Sequence, residues 1–537
     1  MLTEDGSSDQ YDGGAGLDLL DASGLTGALN VDLTQALDSN KFSASGLGSD
    51  IYTSIEGAIG TTFNDSFIGV QGQNNIFDGN SGSDTVDYSG ITGSGMVVTL
   101  NTSTDANVTV AGSADEDIIR NIENVTGSAF ADTLTGDGLA NTLSGNAGND
   151  ILTGGAGEDV LNGGADADTL DGGDGADTIN GDGGADLINV MNTADGIDVI
   201  DGGSEIDTID YSALAQSVEV TLNGSTLADV SFGGGAAEDQ LRNIENVIGS
   251  TAADIINGDA LANALTGNGG ADILNGAGGN DILSGGADND TLDGGDGLDT
   301  IDGGLNDDLI NVTSDDNVID VIDGGSGIDT IDYSALAQAV NVTLNENTAV
   351  DVTLGGSIED NIVNIENVTG SSVADIITGD DLNNILRGLD GADQLNGGLG
   401  DDTLYGGNDN DTLDGGAGDD FLFGEAGDDL FLGSTGTDTY DGGTGGSDTI
   451  DFSGVSGDLN LDLTSATGTA TKLGDSSNQD SFTEIENLIL GSGADGFVMD
   501  ADDLTNFTAI DGGAGLDTLS FNAGSIDLDT FGGDGFD

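Results

Sequence analysis

The 537-residue sequence lacks cysteine, histidine and tryptophan, and each absence excludes particular chemistry. Without cysteine, disulfides and thiolate metal sites cannot form. Without histidine, a Ser-His-Asp triad and an HExxH zinc site are both impossible. Paired carboxylates of the kind that glycosidases use are abundant, but such a pair needs one raised pKa and therefore an apolar pocket. Aromatic residues make up only 4% of the chain, so few bulky groups could build that pocket. We therefore predict that this chain is not an enzyme.

Basic residues are almost absent as well. Five Lys and Arg stand against 100 Asp and Glu, which gives a formal net charge of −95 at pH 7. A compact fold with that charge requires counterions, and divalent cations suit it better than nucleic acid or an anionic membrane does. The sequence has no run of eighteen apolar residues and no basic segment followed by an apolar one at its start. We expect no membrane span and no cleavable export signal.

What the sequence does contain is a nine-residue repeat. Residues 145–189 read GNAGNDILT, GGAGEDVLN, GGADADTLD, GGDGADTIN and GDGGADLIN, and similar series run through 267–311 and from 388 to beyond 433. A period of nine is not helical, because apolar residues on a helix recur every three or four positions. We predict a turn of six residues followed by a strand of three. Two repeats then close one turn of a solenoid, so residues eighteen apart stack at about 4.8 Å. The aliphatic residues should form two inward ladders, and the aspartates two outer rails.

The repeat resembles the calcium-binding nonapeptide GGxGxDxUx of the repeats-in-toxin (RTX) family, and the resemblance covers most of the chain. It implies an all-β fold: a parallel β-roll or β-helix solenoid with eighteen residues per turn and interspersed β-strand insertions. It also implies that calcium ions lie between stacked turns, with the sixth-position Asp as a side-chain ligand. Calcium favours six to eight oxygen ligands and accepts backbone carbonyls together with carboxylates, which a glycine-rich turn can present.

A longer period divides the chain into blocks and interruptions. The phrase IEN recurs at Glu123, Glu245, Glu366 and Glu486, and DYS or DFS recurs before each of them. The interruptions alternate apolar and polar residues, as at Met96, Val98 and Leu100, so we predict strands that continue the solenoid. The expected divisions are partial repeats at 1–23, an interruption at 24–60, a short repeat patch at 61–89, interruptions at 90–126, 212–248, 334–369 and 453–490, repeat blocks at 127–211, 249–333 and 370–452, and degenerate, truncated repeats at 491–537.

Twenty-two repeats in the three blocks share one register, and nineteen of them have Asp at the sixth position. The exceptions are the second repeats of the blocks, with Asn141, Asn263 and Asn384. The fourth position is Gly, Asp or Asn in sixteen repeats, and these residues tolerate a left-handed backbone. In the first two repeats of each block it is instead Phe130, Leu139, Ala252, Leu261, Val373 or Leu382. We predict that these six are opening turns with weak metal sites or none.

By resemblance, the calcium ligands are the sixth-position aspartates of the other sixteen repeats, and pairs eighteen residues apart would form about ten or more sites. These are Asp150, Asp159, Asp168, Asp177, Asp186, Asp272, Asp281, Asp290, Asp299, Asp308, Asp393, Asp402, Asp411, Asp420, Asp429 and Asp438.

Two other features have a functional and a structural interpretation. Arg120 and Arg242 each lie three residues before a recurring Glu, and a salt bridge is favoured over a polar site. The Asn that ends each IEN is expected to stabilise a turn.

The resemblance implies a calcium-stabilised structural region of a large secreted bacterial protein, such as an adhesin, exported by type I secretion. The alternative is an accessory region of a secreted protease, lipase or alginate epimerase. Polysaccharide binding along the solenoid ranks lowest because exposed aromatics are few. Contacts with a cell surface or polysaccharide are expected through other parts of the parent. The chain opens in mid-repeat and stops at GGDGFD. We expect 1–537 to be a fragment.

Overall fold

The computed structural model describes residues 2–3, 10–33, 41–44, 51–110, 117–191, 196–314, 318–463, 468–472, 479–499 and 507–521. Within these ranges the chain forms strands and turns and no helix, so the predicted all-β class is confirmed. It divides into two compact units, Met1–Asn268 (unit 1) and Gly269–Asp537 (unit 2). The GGDGFD end of the chain lies outside the described residues.

The strands of unit 1 are short, mostly of three to six residues. They are β1 (Leu2–Thr3), β2 (Gln10–Asp12), β3 (Leu19–Asp21), β4 (Leu29–Asp32), β5 (Lys41–Ala44), β6 (Ile51–Thr53), β7 (Gly57–Ile59), β8 (Ser66–Ile68), β9 (Ile76–Asp78), β10 (Thr85–Asp87), β11 (Met96–Thr99), β12 (Ala106–Val110), β13 (Asp117–Arg120), β14 (Asn124–Thr126), β15 (Thr133–Thr135), β16 (Thr142–Ala147), β17 (Ile151–Ala156), β18 (Val160–Ala165), β19 (Thr169–Asp174), β20 (Thr178–Gly183), β21 (Leu187–Asn189), β22 (Asp198–Asp201), β23 (Thr208–Asp210), β24 (Val218–Thr221), β25 (Ala228–Phe232), β26 (Ala237–Arg242), β27 (Asn246–Ile248), β28 (Ile255–Asn257) and β29 (Ala264–Gly269), which begins in this unit.

The strands of unit 2 have similar lengths. They are β30 (Ile273–Asn275), β31 (Ile282–Ala287), β32 (Thr291–Asp293), β33 (Thr300–Leu305), β34 (Leu309–Asn311), β35 (Asp320–Ser326), β36 (Thr330–Asp332), β37 (Val340–Thr343), β38 (Val350–Leu354), β39 (Ser357–Val363), β40 (Asn367–Thr369), β41 (Ile376–Thr378), β42 (Ile385–Asp390), β43 (Gln394–Leu399), β44 (Thr403–Asn408), β45 (Thr412–Ala417), β46 (Phe421–Ala426), β47 (Leu430–Leu432), β48 (Thr439–Asp441), β49 (Thr449–Asp451), β50 (Leu459–Leu463), β51 (Gly468–Lys472), β52 (Gln479–Thr483), β53 (Asn487–Ile489), β54 (Gly496–Met499), β55 (Ala509–Asp511) and β56 (Thr518–Phe521).

Consecutive repeats alternate between two sheets, so neighbours within a sheet are two repeats apart. In unit 1 one sheet runs β15-β17-β19-β21-β23 and the other β14-β16-β18-β20-β22, with all of these pairs parallel. In unit 2 the corresponding runs are β41-β43-β45-β47-β49 and β40-β42-β44-β46-β48. This arrangement is the predicted parallel β-roll.

The core of each roll is a file of single aliphatic side chains, one from each short strand. Leu152 pairs with Leu170, and Leu161 with Ile179, at the predicted spacing of eighteen residues. These four side chains are at most 2% exposed. The eighth position therefore faces inward because the alternation of a strand allows only one of its three residues to point into so narrow an interior.

The rows of sixth-position aspartates differ from the prediction, which placed them on the outside of the solenoid. The sixth-position side chains are buried: Asp150, Asp168 and Asp186 are 1–2% exposed, and Asp299 and Asp402 are 0% exposed. That part of the prediction is wrong. Each carboxylate lies beneath the neighbouring turn of the stack, which covers it as completely as the sheets cover the leucines.

The interruptions add three antiparallel strands to one sheet. In unit 1, β11-β12-β13 and β24-β25-β26 are antiparallel sets, and the outer strands of each set pair in parallel with the flanking repeats. In unit 2, β37-β38-β39 and β50-β51-β52 repeat the pattern. The opposite sheet passes directly from β10 to β14, or from β23 to β27. The insertions thus continue the roll, as the alternation of apolar residues predicted.

The aromatic residue of each DYS or DFS phrase fills the interior beside an insertion. Tyr88, Tyr211, Tyr333 and Phe452 are at most 1% exposed. The ring of Tyr211 meets that of Phe232, on the middle strand of its insertion, edge to face at 5.7 Å between centroids. An insertion therefore buries aromatic rings together with aliphatic side chains, whereas most strands of a block contribute one aliphatic side chain.

Two adjacent residues on β31 should contribute very differently to the free energy of unfolding when each is replaced by alanine. Leu283 is 1% exposed and Ile282 is 57% exposed. We expect Leu283→Ala to lower the free energy of unfolding by about 2–5 kcal/mol because it leaves a cavity in the aliphatic file. The control Ile282→Ala should change it by no more than about 0.5 kcal/mol. Chemical denaturation in saturating calcium measures both variants. Equal losses would contradict the assigned strand register.

Candidate metal centre

The sixth-position aspartates tie successive turns together through one carboxylate oxygen. The backbone N–H of Asp150 donates to Oδ1 of Asp168 at 2.7 Å, and that of Asp168 donates to Oδ1 of Asp186 at 2.8 Å. The same bond recurs in unit 2, from Asp393 to Asp411 and from Asp411 to Asp429. Because a carboxylate accepts up to four hydrogen bonds, the second oxygen of each aspartate remains available for another partner.

That second oxygen is buried and has no hydrogen-bond partner in most of the predicted ligands. Among the residues that the structure describes, this holds for Oδ2 of Asp150, Asp159, Asp168, Asp186, Asp290, Asp308, Asp393, Asp402, Asp411, Asp420 and Asp429. A buried polar atom without a partner costs about 1–3 kcal/mol, and more when it is charged. Rows of such atoms indicate that a ligand outside the polypeptide completes them.

Backbone oxygens lie beside these carboxylates. A Cβ added to Gly145 would collide with Oδ2 of Asp150 and approach the carbonyl oxygen of Gly163 to 2.7 Å. The first position of the repeat is therefore glycine for steric reasons, and its φ is not left-handed. A Cβ on Gly173 would collide with the carbonyl oxygen of Gly155 in the preceding turn. Carbonyl oxygens and carboxylates thus share the gap between stacked turns.

The fourth positions adopt the predicted backbone. Fifteen of the sixteen, all but Gly427, have φ between +75° and +151°, including Asp166 at +75° and Asn306 at +76°. None of the six opening-turn residues has a positive φ. The left-handed second position was missed, because several of its occupants are not glycine. These occupants are Asn146, Asp182, Asn268, Ala277, Leu389 and Glu425, with φ of +70° to +82°.

Burial also disfavours the ionised form of these carboxylates. Burial raises the pKa of Asp168 from 3.8 to about 7, and the charges of neighbouring aspartates add to this effect. The pKa of Asp150 and of Asp402 likewise rises to about 7, and that of Asp411 to about 8. Stacked like charges cannot all ionise in a gap without water unless a cation or a proton neutralises them.

In the opening turns, hydrogen bonds within the protein complete the sixth side chain. Oδ1 of Asp132 accepts from the backbone N–H of Met96 at 2.7 Å and from Oγ of Ser128 at 2.9 Å, while its Oδ2 accepts from the N–H of Ser128. Asp254 and Asp375 have the same partners, Ser250 with Val218 and Ser371 with Val340. Both oxygens of these aspartates therefore have hydrogen-bond partners within the protein.

The asparagines of the second opening turns are completed in a different way. Oδ1 of Asn141 accepts from the N–H of Asp137 at 2.8 Å, and its Nδ2 donates to the carbonyl oxygen of Glu123 at 3.0 Å. Asn263 and Asn384 repeat both bonds. An aspartate could not donate to that carbonyl, which explains the exception in the sequence.

Asp438 differs from the other predicted ligands. Its Oδ2 accepts from Oγ of Ser434 at 2.8 Å and from the hydroxyl of Tyr440 at 3.1 Å. Ser434 occupies the second position of its repeat, as Ser128 does in an opening turn. The sequence pattern alone had placed Asp438 with the metal ligands.

Sequence reasoning missed the aspartates that continue the rows past a register shift. The N–H of Asp186 donates to Oδ1 of Asp207 at 2.8 Å, and that of Asp308 donates to Asp329 at 2.8 Å, each across 21 residues. Oδ2 of Asp207 and of Asp329 is buried and has no hydrogen-bond partner. The signal was present in the hexapeptides GGSEID and GGSGID, which are displaced by three residues from the register that we counted.

The recurring Glu takes over the role of an aspartate where the chain returns from an insertion. Oε2 of Glu245 accepts from the N–H of Asp207 at 2.9 Å, and Oε2 of Glu366 accepts from that of Asp329 at 2.8 Å. The following Asn is structural, as expected: Oδ1 of Asn246 accepts from the N–H of Ala264 at 3.0 Å.

The two arginines form ion pairs, as we had favoured. The partner of Arg120 is Asp105 at 2.9 Å, and that of Arg242 is Asp201 at 2.6 Å.

The carboxylate and carbonyl oxygens between stacked turns are suitable ligands for calcium. In the described part of the chain, no group of three or more acidic side chains could hold a metal by itself. A cation between turns would instead take carboxylates from two aspartates eighteen residues apart and carbonyl oxygens of the glycine-rich turns. Hard oxygen ligands of this kind suit calcium, which tolerates irregular geometry, better than they suit magnesium or zinc.

A stack of short-strand turns with buried carboxylates between them defines a cation-binding β-roll. The family model of the RTX calcium-binding nonapeptide repeat (4 copies) matches nine overlapping segments, 126–161, 135–170, 153–188, 248–283, 275–310, 284–319, 369–404, 378–413 and 405–440. The chain therefore carries RTX-type repeats at 126–188, 248–319 and 369–440. RTX repeats bind calcium, and they are typical of secreted bacterial proteins. No curated protein matches the chain.

Across the described ranges, no helix is long and apolar enough to cross a membrane.

Lowering the pH should partly replace calcium. The pKa of Asp168 is about 7 in the fold and 3.8 ordinarily, so the stability that its protonation contributes is complete below 3.8 and is lost as the pH rises through 7. We expect calcium-depleted protein to gain β-structure between about pH 8 and about pH 5.5, by circular dichroism after dialysis. The increment from added calcium should shrink over the same range. A calcium-depleted signal that does not change with pH would contradict this prediction.

Proposed function

We propose that this chain is the calcium-stabilised structural repeat region of a large secreted bacterial RTX protein, of the adhesin or surface-protein kind. The observation that carries the proposal is the rows of buried sixth-position carboxylates whose second oxygen has no hydrogen-bond partner. Each row repeats the same carboxylates without a neutralising partner between stacked turns. Ion binding would therefore stabilise the folded state itself. A structural role follows from this, because the bound ions would join one turn of the stack to the next.

The proposed ligands are fifteen of the sixteen aspartates that the sequence suggested, without Asp438, whose carboxylate Ser434 and Tyr440 already complete. Asp207 and Asp329 extend the rows. About ten or more ions would bind, each between two turns eighteen residues apart or, at the register shifts, 21 apart.

The parent protein would act outside the cell. Extracellular calcium modules bind with dissociation constants of about 0.1–1 mM, far above cytosolic calcium. A chain with a net charge of −95 stays expanded without its counterions, which suits export in an unfolded state by type I secretion. Folding would then occur where calcium is abundant.

Calcium removal should expand the protein. We expect calcium-depleted protein at neutral pH to lose most of its β-signal and to increase its radius of gyration, because the stacked carboxylates repel. Both properties should recover on titration with calcium, with a midpoint of about 0.1–1 mM. Circular dichroism and small-angle X-ray scattering measure them. An identical compact β-signal at every calcium concentration would refute the proposed function, and a micromolar midpoint would refute the extracellular assignment.

Two matched substitutions should separate binding turns from opening turns. Asp168→Asn removes a charge between two stacked turns, so we expect a loss of one or two bound ions. Asp132→Asn makes the same chemical change in an opening turn, where Ser128 and Met96 already complete the carboxylate. That variant should lose no ion. Equilibrium dialysis with elemental analysis gives the bound calcium per chain, and equal losses would refute the division.

A further inference from the structure

The insertions use a different means of stabilisation from the blocks. We define an insertion module as one antiparallel insertion with the aromatic residue before it and the two opening turns after it, at 88–141, 211–263 and 333–384. Each module contains the sixth-position aspartate and asparagine that hydrogen bonds within the protein complete. In module 211–263 these are Asp254, held by Ser250 and Val218, and Asn263, held by Asp259 and the carbonyl of Glu245. Both side chains therefore have hydrogen-bond partners within the protein, unlike Oδ2 of Asp168.

The turn that ends each insertion is shorter than the turn of a repeat. Strand β26 ends at Arg242 and β27 begins at Asn246, so Asn243, Ile244 and Glu245 replace the six-residue turn of a repeat. Ile244 is 2% exposed. The longer side chain of Glu245 still reaches the N–H of Asp207. The short turn therefore continues the hydrogen-bond ladder and adds a buried apolar side chain.

The modules also bury more apolar side chains than the blocks do. In module 211–263 the buried apolar side chains include Tyr211, Val218, Val220, Phe232 and Leu241, all at most 3% exposed. Burial of each such side chain contributes about 1.5–3 kcal/mol. A block buries fewer such side chains, about one for each nine residues, and therefore has less of this free energy to set against the conformational entropy of a glycine-rich chain.

The acidic residues are more numerous in the blocks than in the insertions. Residues 145–189 carry ten acidic residues and no basic one, whereas 208–248, of similar length, carry six acidic residues and Arg242. Self-repulsion in the absence of calcium is therefore concentrated in the blocks.

We propose that the insertion modules are calcium-independent structural units, which remain folded when calcium is withdrawn and the blocks between them unfold. The block at 145–207 shows the arrangement within unit 1. At one end the N–H of Asp132, in module 88–141, donates to Asp150 at 2.7 Å, and at the other end Glu245, in module 211–263, accepts from Asp207. The modules thus present preformed turns on which the block can stack when calcium returns. The inference rests on the proposed calcium binding for the blocks only.

Hydrogen–deuterium exchange with mass spectrometry on the full chain tests the proposal, with and without calcium at neutral pH. Without calcium, we expect peptides from 145–207 to lose protection by roughly 100-fold or more, and peptides from 211–263 to change by less than about tenfold. Equal loss in both regions would overturn the inference. No loss in either would refute calcium-dependent folding of the blocks, and hence the proposed function, independently.

A substitution in one module uses another module as its control. Phe232→Ala removes the ring that packs on Tyr211. Without calcium, it should abolish the protection of 211–263 and leave that of 88–110 and 117–141 unchanged. The matched block variant Leu170→Ala, at a position that is 0% exposed, should leave the calcium-free protection of both modules unchanged. If Leu170→Ala abolishes module protection without calcium, the modules depend on the blocks and the proposal is wrong.

Discussion

The structure depends on one hydrogen bond, from the backbone N–H of a sixth-position aspartate to the carboxylate of the aspartate one turn further along. The bond from Asp150 to Asp168 is typical. It fixes the eighteen-residue stacking register and draws the carboxylate into the gap between turns, where its other oxygen meets carbonyl groups instead of water. An ionised carboxylate in such a place costs several kcal/mol unless something neutralises it. The bond that aligns the turns therefore also creates the demand for a cation.

The same demand is met differently at the insertions. There, side chains of the protein supply the hydrogen bonds: the hydroxyl of Ser128 at Asp132, the amide of Asn141 and the hydroxyl of Tyr333, which donates to Asp360 at 3.1 Å. A hydroxyl or amide satisfies one carboxylate locally, whereas a cation joins two turns. On the proposals made above, the chain combines segments whose fold depends on calcium with segments that hydrogen bonds and more buried apolar side chains stabilise.

Glycine serves two separate purposes in these turns. At the first position the backbone conformation is ordinary, and glycine is required because a Cβ would collide with the carboxylate, as at Gly145. At the second and fourth positions the backbone is left-handed, and there Asp166, Leu389 and Glu425 are accommodated. The first position therefore follows the geometry of the stack, while the other two follow the geometry of a single turn. This is why substitutions for glycine occur at the second and fourth positions and not at the first.

The sequence by itself determined the period, the parallel two-sheet roll, the inward eighth position and the left-handed fourth position, because each of these follows from local properties that recur every nine residues. Only the tertiary structure decided the burial of the aspartates and the hydrogen bond from the N–H of Asp186 to Asp207. It also decided that Glu245 replaces an aspartate. These depend on partners that are nearby only after the chain has returned from another turn or from an insertion, such as the contact between Asp207 and Glu245 across 38 residues. A nine-residue pattern describes one turn, and it carries no information about which polar group the next turn places against it.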